Sequence, residues 1–499
     1  MEMISDVDVV IAGAGPTGLL LAGDLARAGV RCAVFERRPG RSGLTRAFTV
    51  HTRTLEQLDA RGVADQLIAA GTPLAELQLF GGAALDLAGL PSRFPYVLVC
   101  PQYETERVLE ERATHLGADI RYGAGITGLS QHPAGVEVTV RQDGLQELVR
   151  ANYVVGADGI HSTVRQALGI PFPGKQVVRS VMIADVLLTQ PPPAVMTINA
   201  TGEAFALVVP FGDGWYRVIA WDARNQPAED TPVSLAEVRD ATRQALGRDY
   251  GMHDPRWLSR FQSDERQVPS YRDGRALLAG DAAHAHSPAG GQGMNTSIQD
   301  AANLGWKLAA AVQGWAPDRL LDSYSAERHA VGQRVLRYSG ALLRIGLTCP
   351  PALIPARNAL VHAATRIPIS ARLMAGALSG LSISYPAPRG AHPLTGQRVA
   401  DLPLADGRRL YEALRGGRFL LAAGPGALLA EATSGYDDRV EAVTIARVSD
   451  TIVLIRPDAY IAWAGSHATA DQRPPDVRGA LARWCGSPGQ SAVPAGRRA

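Results

Sequence analysis

The N-terminal part of the chain alternates short apolar runs with turns that contain glycine. Residues 9–12 are uniformly apolar, which is typical of a strand buried on both faces of a parallel sheet. Residues 16–28 carry leucines at helical spacing, and Gly29 ends that segment. A second apolar run, residues 31–35, leads to Glu36. This order predicts a βαβ unit whose crossover is right-handed.

Along the rest of the chain the residue pattern changes between α/β and β-rich, and these changes predict three domains. A β-rich stretch with a hairpin signal at residues 212–214 lies between segments of α/β pattern. The α/β segments are predicted to contain strands at 136–140, 153–157 and 275–279 and helices at 103–116 and 295–312. Three more apolar strands are predicted at 419–422, 442–445 and 451–455. We therefore predict an α/β fold with a discontinuous first domain (residues 1–178 and 269–390), an inserted antiparallel β-sheet domain (179–268) and a C-terminal α/β domain (391–499).

Composition narrows the functional classes. The chain has 499 residues and a net charge of +2, with 50 Lys and Arg against 48 Asp and Glu, so neither a nucleic acid nor a membrane surface is an expected partner. The four cysteines form no CxxC, which argues against a disulfide framework or a cysteine zinc site and favours the cytoplasm. No apolar run is long enough to predict a membrane span.

The first apolar strand leads directly into a G-x-G-x-x-G motif. Gly13 permits the tight turn, Gly15 lets the backbone approach a pyrophosphate, and Gly18 lets the helix pack closely on the strand. The helix N-terminus presents unpaired N–H groups to phosphates, and Glu36 is placed to accept hydrogen bonds from a ribose. This predicts a dinucleotide site formed also by Pro16, Thr17 and Arg37. A ribose-binding glutamate disfavours NADP there, and the motif alone leaves both FAD and NAD open.

Two further apolar strands end in glycine plus aspartate, at Asp158-Gly159 and Gly280-Asp281. The three segments, in this order and spacing, resemble the class A FAD-dependent aromatic hydroxylases of the para-hydroxybenzoate and phenol hydroxylase type. The resemblance covers roughly residues 7–340 and is strongest to the actinobacterial aromatic-polyketide hydroxylases and the rifamycin-type monooxygenases. It implies a Rossmann-like FAD-binding domain, an inserted substrate sheet and a C-terminal thioredoxin-like domain, which has no CxxC for dithiol chemistry.

The resemblance also implies roles for individual residues. Asp281 holds the FAD ribityl chain, Asp158 lies near the pyrophosphate, and Arg46 reaches the flavin and the peroxide site. The glycine-rich loop before the helix predicted at 295–312 brings backbone N–H groups to the flavin ring. The dipole of that helix stabilises the reduced, anionic form of the flavin. The remaining residues implied to bind the cofactor are Gln102, Arg107, Gly280, Pro288, Gly291, Gly293, Met294 and Asn295.

Substrate contacts are expected from the β-sheet domain, where successive side chains of a strand point to opposite faces. Tyr216 lies on one face and Trp221 on the other, and the sequence does not show which face borders the flavin. We favour Tyr216 as a catalytic residue, together with Arg46 and Pro288, and expect His51 in the substrate pocket. No metal site is predicted, because His284 and His286 have no further ligand set nearby.

The implied activity is hydroxylation of a polycyclic aromatic polyketide or antibiotic through a flavin C4a-hydroperoxide. It requires tightly but non-covalently bound FAD, transiently bound NADPH or NADH, and O2. Three alternatives stay open: Baeyer–Villiger oxygenation on the same scaffold, a non-oxygenating flavin reductase, and a binding protein that uses FAD as structure. The sequence leaves the exact substrate and a homodimer open as well.

Overall fold

The structure is a computed structural model of the chain, and it describes residues 4–41, 43, 47–212, 214–347, 349–426, 429–466 and 476–489. Its α-helices are Pro16–Arg27, Thr52–Asp59, Ala64–Ala69, Gln102–His115, Thr163–Ala167, Leu235–Leu246, Gln292–Gln313, Asp322–Leu347, Ile354–Arg366, Pro368–Ser379, Leu410–Leu414, Leu429–Thr433 and Val477–Cys485. The predicted α/β class is confirmed. Within the described ranges, no helix is both long and apolar enough to cross a membrane.

A six-stranded sheet, called here the main sheet, forms the centre of the first domain. Its strands lie in the order Arg272–Asp273, Ala276–Leu278, Tyr153–Gly156, Val9–Ala12, Cys32–Glu36 and Asp119–Tyr122. All pairs are parallel except the one formed by the edge strand Arg272–Asp273. Helices Pro16–Arg27 and Gln292–Gln313 pack against each other beside it. Every side chain of Val9–Ala12 is buried, as the uninterrupted apolar run predicts.

Three smaller sheets extend this domain. The largest has four strands, in the order Ile4–Asp6, Leu145–Ala151, Gly135–Gln142 and Ala124–His132. The second consists of Thr49–Val50, Val97–Val99 and Thr72–Leu74, and the third is the hairpin of Glu76–Gln78 with Ala84–Asp86. The last two contribute side chains to the cavity described below.

A second six-stranded sheet, called here the substrate sheet, is antiparallel throughout. Its order is Thr197–Ala200, Ala204–Pro210, Tyr216–Asp222, Gly174–Leu188, Met252–Gln267 and His284–Ala285. The sheet therefore begins before residue 179 and takes its last strand from beyond residue 268. Helix Leu235–Leu246 covers one face, and the sequence analysis missed it. Its capping box, formed by Ser234 and Glu237, is a signal that could have revealed it.

The C-terminal sheet has four strands, Val440–Thr444, Phe419–Ala423, Thr451–Ile455 and Ile461–Ser466. Buried charges attach this unit to the first domain. Arg456 donates from Nη1 to Glu327 Oε1 (2.7 Å), and Lys307 Nζ donates to Glu327 Oε2 (2.8 Å). Burial alone would raise the pKa of Glu327, but Arg456 and Lys307 hold it well below its usual range. The carboxylate is therefore ionised and joins the two units.

Arg53 reinforces the same junction from another side. Its guanidinium is fully buried and donates to Glu56 Oε2 (2.9 Å), the Tyr411 hydroxyl (3.0 Å) and the Asp458 carbonyl oxygen (2.9 Å). A buried charge is tolerated only when its hydrogen bonds are supplied by the protein. The C-terminal unit thus completes the packing of the first domain.

Candidate cofactor and substrate site

A cavity of about 780 Å³ lies between the carboxyl ends of the main-sheet strands and one face of the substrate sheet. This is the edge at which open α/β sheets bind ligands. Its wall consists of the turn from Gly13 to Thr17, the ends of two neighbouring strands, the loop before helix Gln292–Gln313, and a large apolar region. We call this last region the substrate lobe.

Each glycine of the turn meets different surroundings. Gly13 has a φ of +96°, and a Cβ placed on it would lie 2.5 Å from the Ala157 carbonyl oxygen. A Cβ on Gly18 would lie 2.0 Å from the Gly13 carbonyl oxygen, so packing leaves no room for a larger residue at this position. A Cβ on Gly15 would meet nothing within 4 Å, and Gly15 lines the cavity. Gly15 therefore presents bare backbone to whatever the cavity binds.

The second strand of the βαβ unit places an ionised carboxylate at the cavity wall. Glu36 is buried and accepts hydrogen bonds from the Ala14 backbone N–H (2.9 Å), the Arg38 backbone N–H (2.9 Å) and Arg38 Nε (3.0 Å). Burial opposes ionisation, but the bonds from Arg38 and Ala14 lower the pKa of Glu36. Arg37 and Arg38 also line the cavity. The sequence analysis missed Arg38, although its place two residues after Glu36 is a usable signal.

Helix Gln102–His115 adds an amide and a carboxyl group at the same end. Gln102 Nε2 donates to Glu106 Oε1 (2.8 Å), and Gln102 Oε1 accepts from the Ala47 backbone N–H (3.3 Å). Glu106 Oε2 is buried without a hydrogen-bond partner among the described residues, and burial raises the pKa of Glu106. Glu106 was not predicted, although it lies one helical turn after Gln102. These groups can bind the hydroxyl and amine groups of a nucleoside.

The two other motif aspartates both line the cavity. Asp158 Oδ2 accepts a hydrogen bond from the Thr163 backbone N–H (2.6 Å), whereas Oδ1 is buried with no partner in the described part of the chain. Burial raises the pKa of Asp158, against the opposing effect of its hydrogen bonds. Asp281 is exposed toward the cavity. A polar ligand along this wall would satisfy the Asp158 oxygen.

The glycine-rich loop is held in place by Asn295. Its Oδ1 accepts from the His51 backbone N–H (2.8 Å), and its Nδ2 donates to the Gly291 carbonyl oxygen (2.7 Å). Asn295 itself does not line the cavity, so it positions the loop from behind, contrary to the contact expected. Pro288, Gly291, Gly293, Met294 and His51 do line it. Burial lowers the pKa of His51 to about 4, which keeps the imidazole neutral at ordinary pH.

A buried polar chain supports the loop from the other side. His284 Nε2 bonds Asp300 Oδ2 (2.5 Å), and Arg328 Nε donates to Asp300 Oδ1 (2.6 Å). The His286 ring lies 4.4 Å from that of His284, and burial together with His284 lowers the pKa of His286 to about 3. No cluster of metal-binding side chains occurs in the ranges that the structure describes. His284 is therefore a buried hydrogen-bonding group, whereas neither ring nitrogen of His286 has a hydrogen-bond partner among the described residues.

The substrate lobe is lined by the face of the substrate sheet that carries Trp221. Its residues from that sheet include Val181, Ile183, Leu207, Ile219, Trp221 and Phe261. Tyr216 does not reach the cavity, because its face packs against helix Leu235–Leu246 in an apolar cluster with Val218 and Ala220. The preference for Tyr216 was therefore wrong in its geometry. Trp221 and His51 both line the cavity.

Three other expected cofactor residues also lie away from the cavity lining. Arg107 projects from the exposed side of its helix, where Nε donates to Glu104 (2.8 Å) and Nη1 to Glu111 (3.0 Å). Its expected contact with the pyrophosphate does not fit this placement. Gly18 and Gly280 lie behind the wall and allow close packing there. Arg46 falls outside the described residues.

Comparison with known families agrees with this geometry. The family described as "FAD binding domain" matches residues 6–339, and "Aromatic-ring hydroxylase, C-terminal" matches residues 392–488. The chain belongs to the FAD-binding aromatic-hydroxylase family. It is a flavin-dependent monooxygenase that uses FAD, with NAD(P)H as the reductant and O2 as the co-substrate.

Individual relatives cover almost the whole hydroxylase chain. A 12-dehydrotetracycline 5-monooxygenase/anhydrotetracycline 6-monooxygenase of Streptomyces rimosus is 40% identical over 96% of this chain and 99% of its own. A rifampicin monooxygenase of Streptomyces venezuelae is 41% identical over 92% of this chain and 95% of its own. The solved structure of anhydrotetracycline hydroxylase from Streptomyces rimosus superimposes with a TM-score of 0.86 at 40% identity, covering 97% of this chain and 100% of that one.

The residues along the cavity fit FAD. Bare backbone at Gly15 suits a pyrophosphate, and the unpartnered oxygens of Asp158 and Glu106 suit a ligand with many donors. An open, glycine-rich loop before a helix N-terminus suits a flat ring that carries negative charge. FAD bound here supplies the redox chemistry that activates O2. The chain supplies polar groups along the cavity wall, a helix N-terminus after the glycine-rich loop and an apolar lobe.

Proposed function

We propose that this enzyme hydroxylates a planar polycyclic phenol of the aromatic-polyketide type. The observation that carries the proposal is that an apolar lobe and the glycine-rich loop share one cavity. A substrate in the lobe would thus lie against the reactive edge of the flavin, held by shape and burial more than by charge. The relatives named for tetracycline and rifampicin chemistry support a substrate of this size class.

Within this proposal, the cofactor contacts follow the order of the cavity wall. Gly13, Gly15, Pro16 and Thr17 approach the pyrophosphate, and Glu36 binds the adenosine ribose. Gln102 and Asp281 bind the middle of the cofactor, and Asp158 lies beside the phosphates. Pro288, Gly291, Gly293 and Met294 border the ring, with Arg37 near the adenosine end.

The finer domain assignment belongs to the same proposal. We assign the main sheet and its G-x-G-x-x-G turn to a Rossmann-like domain, and we assign the substrate sheet, from strand Gly174–Leu188 to strand Met252–Gln267 and including His284–Ala285, to the substrate domain. Residues 391–499 form a thioredoxin-like domain. The four strands and flanking helices of the C-terminal unit support this assignment. Within residues 391–499 the sequence has a single cysteine, Cys485, which is buried and free, so this unit has no cysteine pair for dithiol chemistry and we propose a structural role for it.

The direct test is aerobic turnover with NADPH and a panel of polycyclic phenols that includes anhydrotetracycline. Product mass, product structure and released peroxide are measured together, with NADH in parallel. A product that has gained one hydroxyl, with little peroxide, supports the proposal. Insertion of oxygen into a ring would indicate a Baeyer–Villiger reaction instead. NADPH oxidation that continues beyond one equivalent per FAD without O2, with another electron acceptor added, and that yields no oxygenated product in air, would indicate a reductase and overturn the proposal.

A further inference from the structure

Part of the substrate lobe is formed by the hairpin whose turn carries Phe80. This residue lies between strands Glu76–Gln78 and Ala84–Asp86, and its half-buried ring lines the cavity together with Leu79 and Leu85. No sequence motif marks Phe80. Its importance follows from how tightly the surrounding elements hold it.

Helix Asp322–Leu347 leaves room for this ring at Gly346. A Cβ on Gly346 would lie 2.6 Å from Phe80 Cζ and 3.3 Å from both Cε atoms. Glycine in a helix costs about 1 kcal/mol relative to alanine, so a glycine here needs a reason. The reason is the Phe80 ring, which rests directly on the helix backbone.

Arg357 holds the same ring from helix Ile354–Arg366. Its guanidinium lies 5.1 Å from the centroid of the Phe80 ring and is buried. Arg357 Nη2 donates to the Ala200 carbonyl oxygen (3.0 Å), and Nη1 donates to that of Gly346 (3.3 Å). Arg357 therefore links the substrate sheet, the helix and the ring, and gives the ring a cation–π contact.

The turn after Phe80 is also packed tightly against a neighbouring helix. Gly81 has a φ of +71°, and a Cβ on it would lie 2.4 Å from Asn358 Cγ. His362 Nε2 lies 2.9 Å from the Gly81 carbonyl oxygen. Both partners belong to helix Ile354–Arg366, so the turn cannot move outward without breaking these contacts.

Helix Asp322–Leu347 also relates Phe80 to the glycine-rich loop, beside which we place the flavin. A Cβ on Gly290, in the glycine-rich loop, would lie 3.4 Å from Leu342 Cδ1. Gly346 follows Leu342 by one helical turn, about 6 Å along the axis. Along this helix, the residue that contacts Phe80 is therefore one turn beyond the residue that contacts the loop.

We infer that Phe80, held by Gly346 and Arg357, is the end wall of the substrate lobe and limits how far a fused-ring substrate extends from the flavin. This inference rests on the proposed function. It makes Phe80 a specificity-determining residue and Gly346 a positioning residue. Enlarging Gly346 pushes the ring into the lobe and excludes long substrates, whereas removing the ring lengthens the lobe.

The test compares Gly346→Ala, Phe80→Ala and the double variant in the FAD-loaded enzyme. The probes are 2-naphthol, 1,8-dihydroxyanthraquinone and anhydrotetracycline, which have two, three and four fused rings. Dissociation constants are measured from the change in flavin absorbance on titration, without turnover. Gly376→Ala, in helix Pro368–Ser379, is the matched control, because its Cβ would make only an ordinary 3.7 Å contact with Ser382 in the turn after that helix.

We expect Gly346→Ala to weaken binding of the four-ring probe at least tenfold and to change 2-naphthol binding less than twofold. Phe80→Ala in the same chain should restore four-ring binding, and Gly376→Ala should change nothing. Equal weakening of all three probes, or no change in any, overturns the inference while leaving the proposed function intact. Wild-type enzyme that binds none of the probes overturns the proposed substrate class and the inference with it.

Discussion

Gly15→Ala should weaken FAD binding without weakening the fold of the apoprotein. Gly15 has φ −81° and ψ 179°, a conformation that alanine adopts readily, and its Cβ would meet no atom within 4 Å. Alanine also restricts the unfolded chain, which is worth about 0.4–1 kcal/mol of stability. The new methyl group would point into space that we assign to the pyrophosphate.

The size of the effect follows from the contacts that the methyl group prevents. A hydrogen bond from a backbone N–H to a charged phosphate is worth about 1.5–3 kcal/mol, so losing one corresponds to roughly a 10- to 100-fold weaker FAD affinity. Gly18→Ala is the matched control, because its Cβ would lie 2.0 Å from the Gly13 carbonyl oxygen. Overpacking of this kind costs about 1–3 kcal/mol of stability, with or without cofactor.

The assay has two parts. FAD affinity is measured by quenching of flavin fluorescence as apoprotein is titrated, and the thermal midpoint of the apoprotein is measured by circular dichroism. We expect Gly15→Ala to lose affinity and keep or raise the midpoint, and Gly18→Ala to lower the midpoint. Gly15→Ala that binds FAD within twofold of wild type would refute the assignment of this turn to the pyrophosphate. A lowered apoprotein midpoint in Gly15→Ala would refute the structural argument.

Three more predictions concern the domain junction, the sheet face and pH. Glu327→Gln leaves buried Lys307 without its carboxylate and Arg456 with Asp458 alone, and it should cost about 3–5 kcal/mol, seen as a lower urea midpoint, whereas Asp240→Asn in an exposed pair should cost under about 1 kcal/mol. Trp221→Ala should weaken binding of polycyclic phenols about tenfold, and Tyr216→Phe should leave it unchanged, as titration of the bound flavin will show. The pKa of His51 is about 4 when folded and near 6.5 when unfolded, so the unfolded chain binds more protons between these values and stability rises with pH across that window. Unfolding at pH 4.5 and 7.5 should show that His51→Gln reduces this rise by roughly 3 kcal/mol.

The cofactor half of the site could be predicted because its signals are local. Gly13, Gly15 and Glu36 lie within one βαβ unit, whose backbone geometry follows from strand and helix patterns alone. Asp158 and Asp281 follow further apolar strands, and parallel strands in one sheet bring their carboxyl ends to one edge. Arg107 shows where this reasoning fails, because a helix position gives no information about which side of the helix faces the ligand.

The substrate half could not be predicted in the same way. Alternation along residues 216–221 separates two faces of the strand but does not say which one is covered. That choice depends on helix Leu235–Leu246, which packs on the Tyr216 face and leaves the Trp221 face to the cavity. Phe80 and Gly346 are 266 positions apart in the printed sequence, and neither residue type signals a contact with the other.

The sequence by itself determined the fold class and the glycine turn, because both depend on short-range backbone geometry and on apolar periodicity, and the resemblance of three motifs in order indicated the family. Only the tertiary structure decided which face of the sheet borders the cavity and how the C-terminal unit is attached. Those features are set by packing between distant segments and by buried charges such as Arg53 and Glu327, whose partners lie in separate parts of the chain. Such partners are selected by the free energy of the whole packed structure, and no local pattern records them.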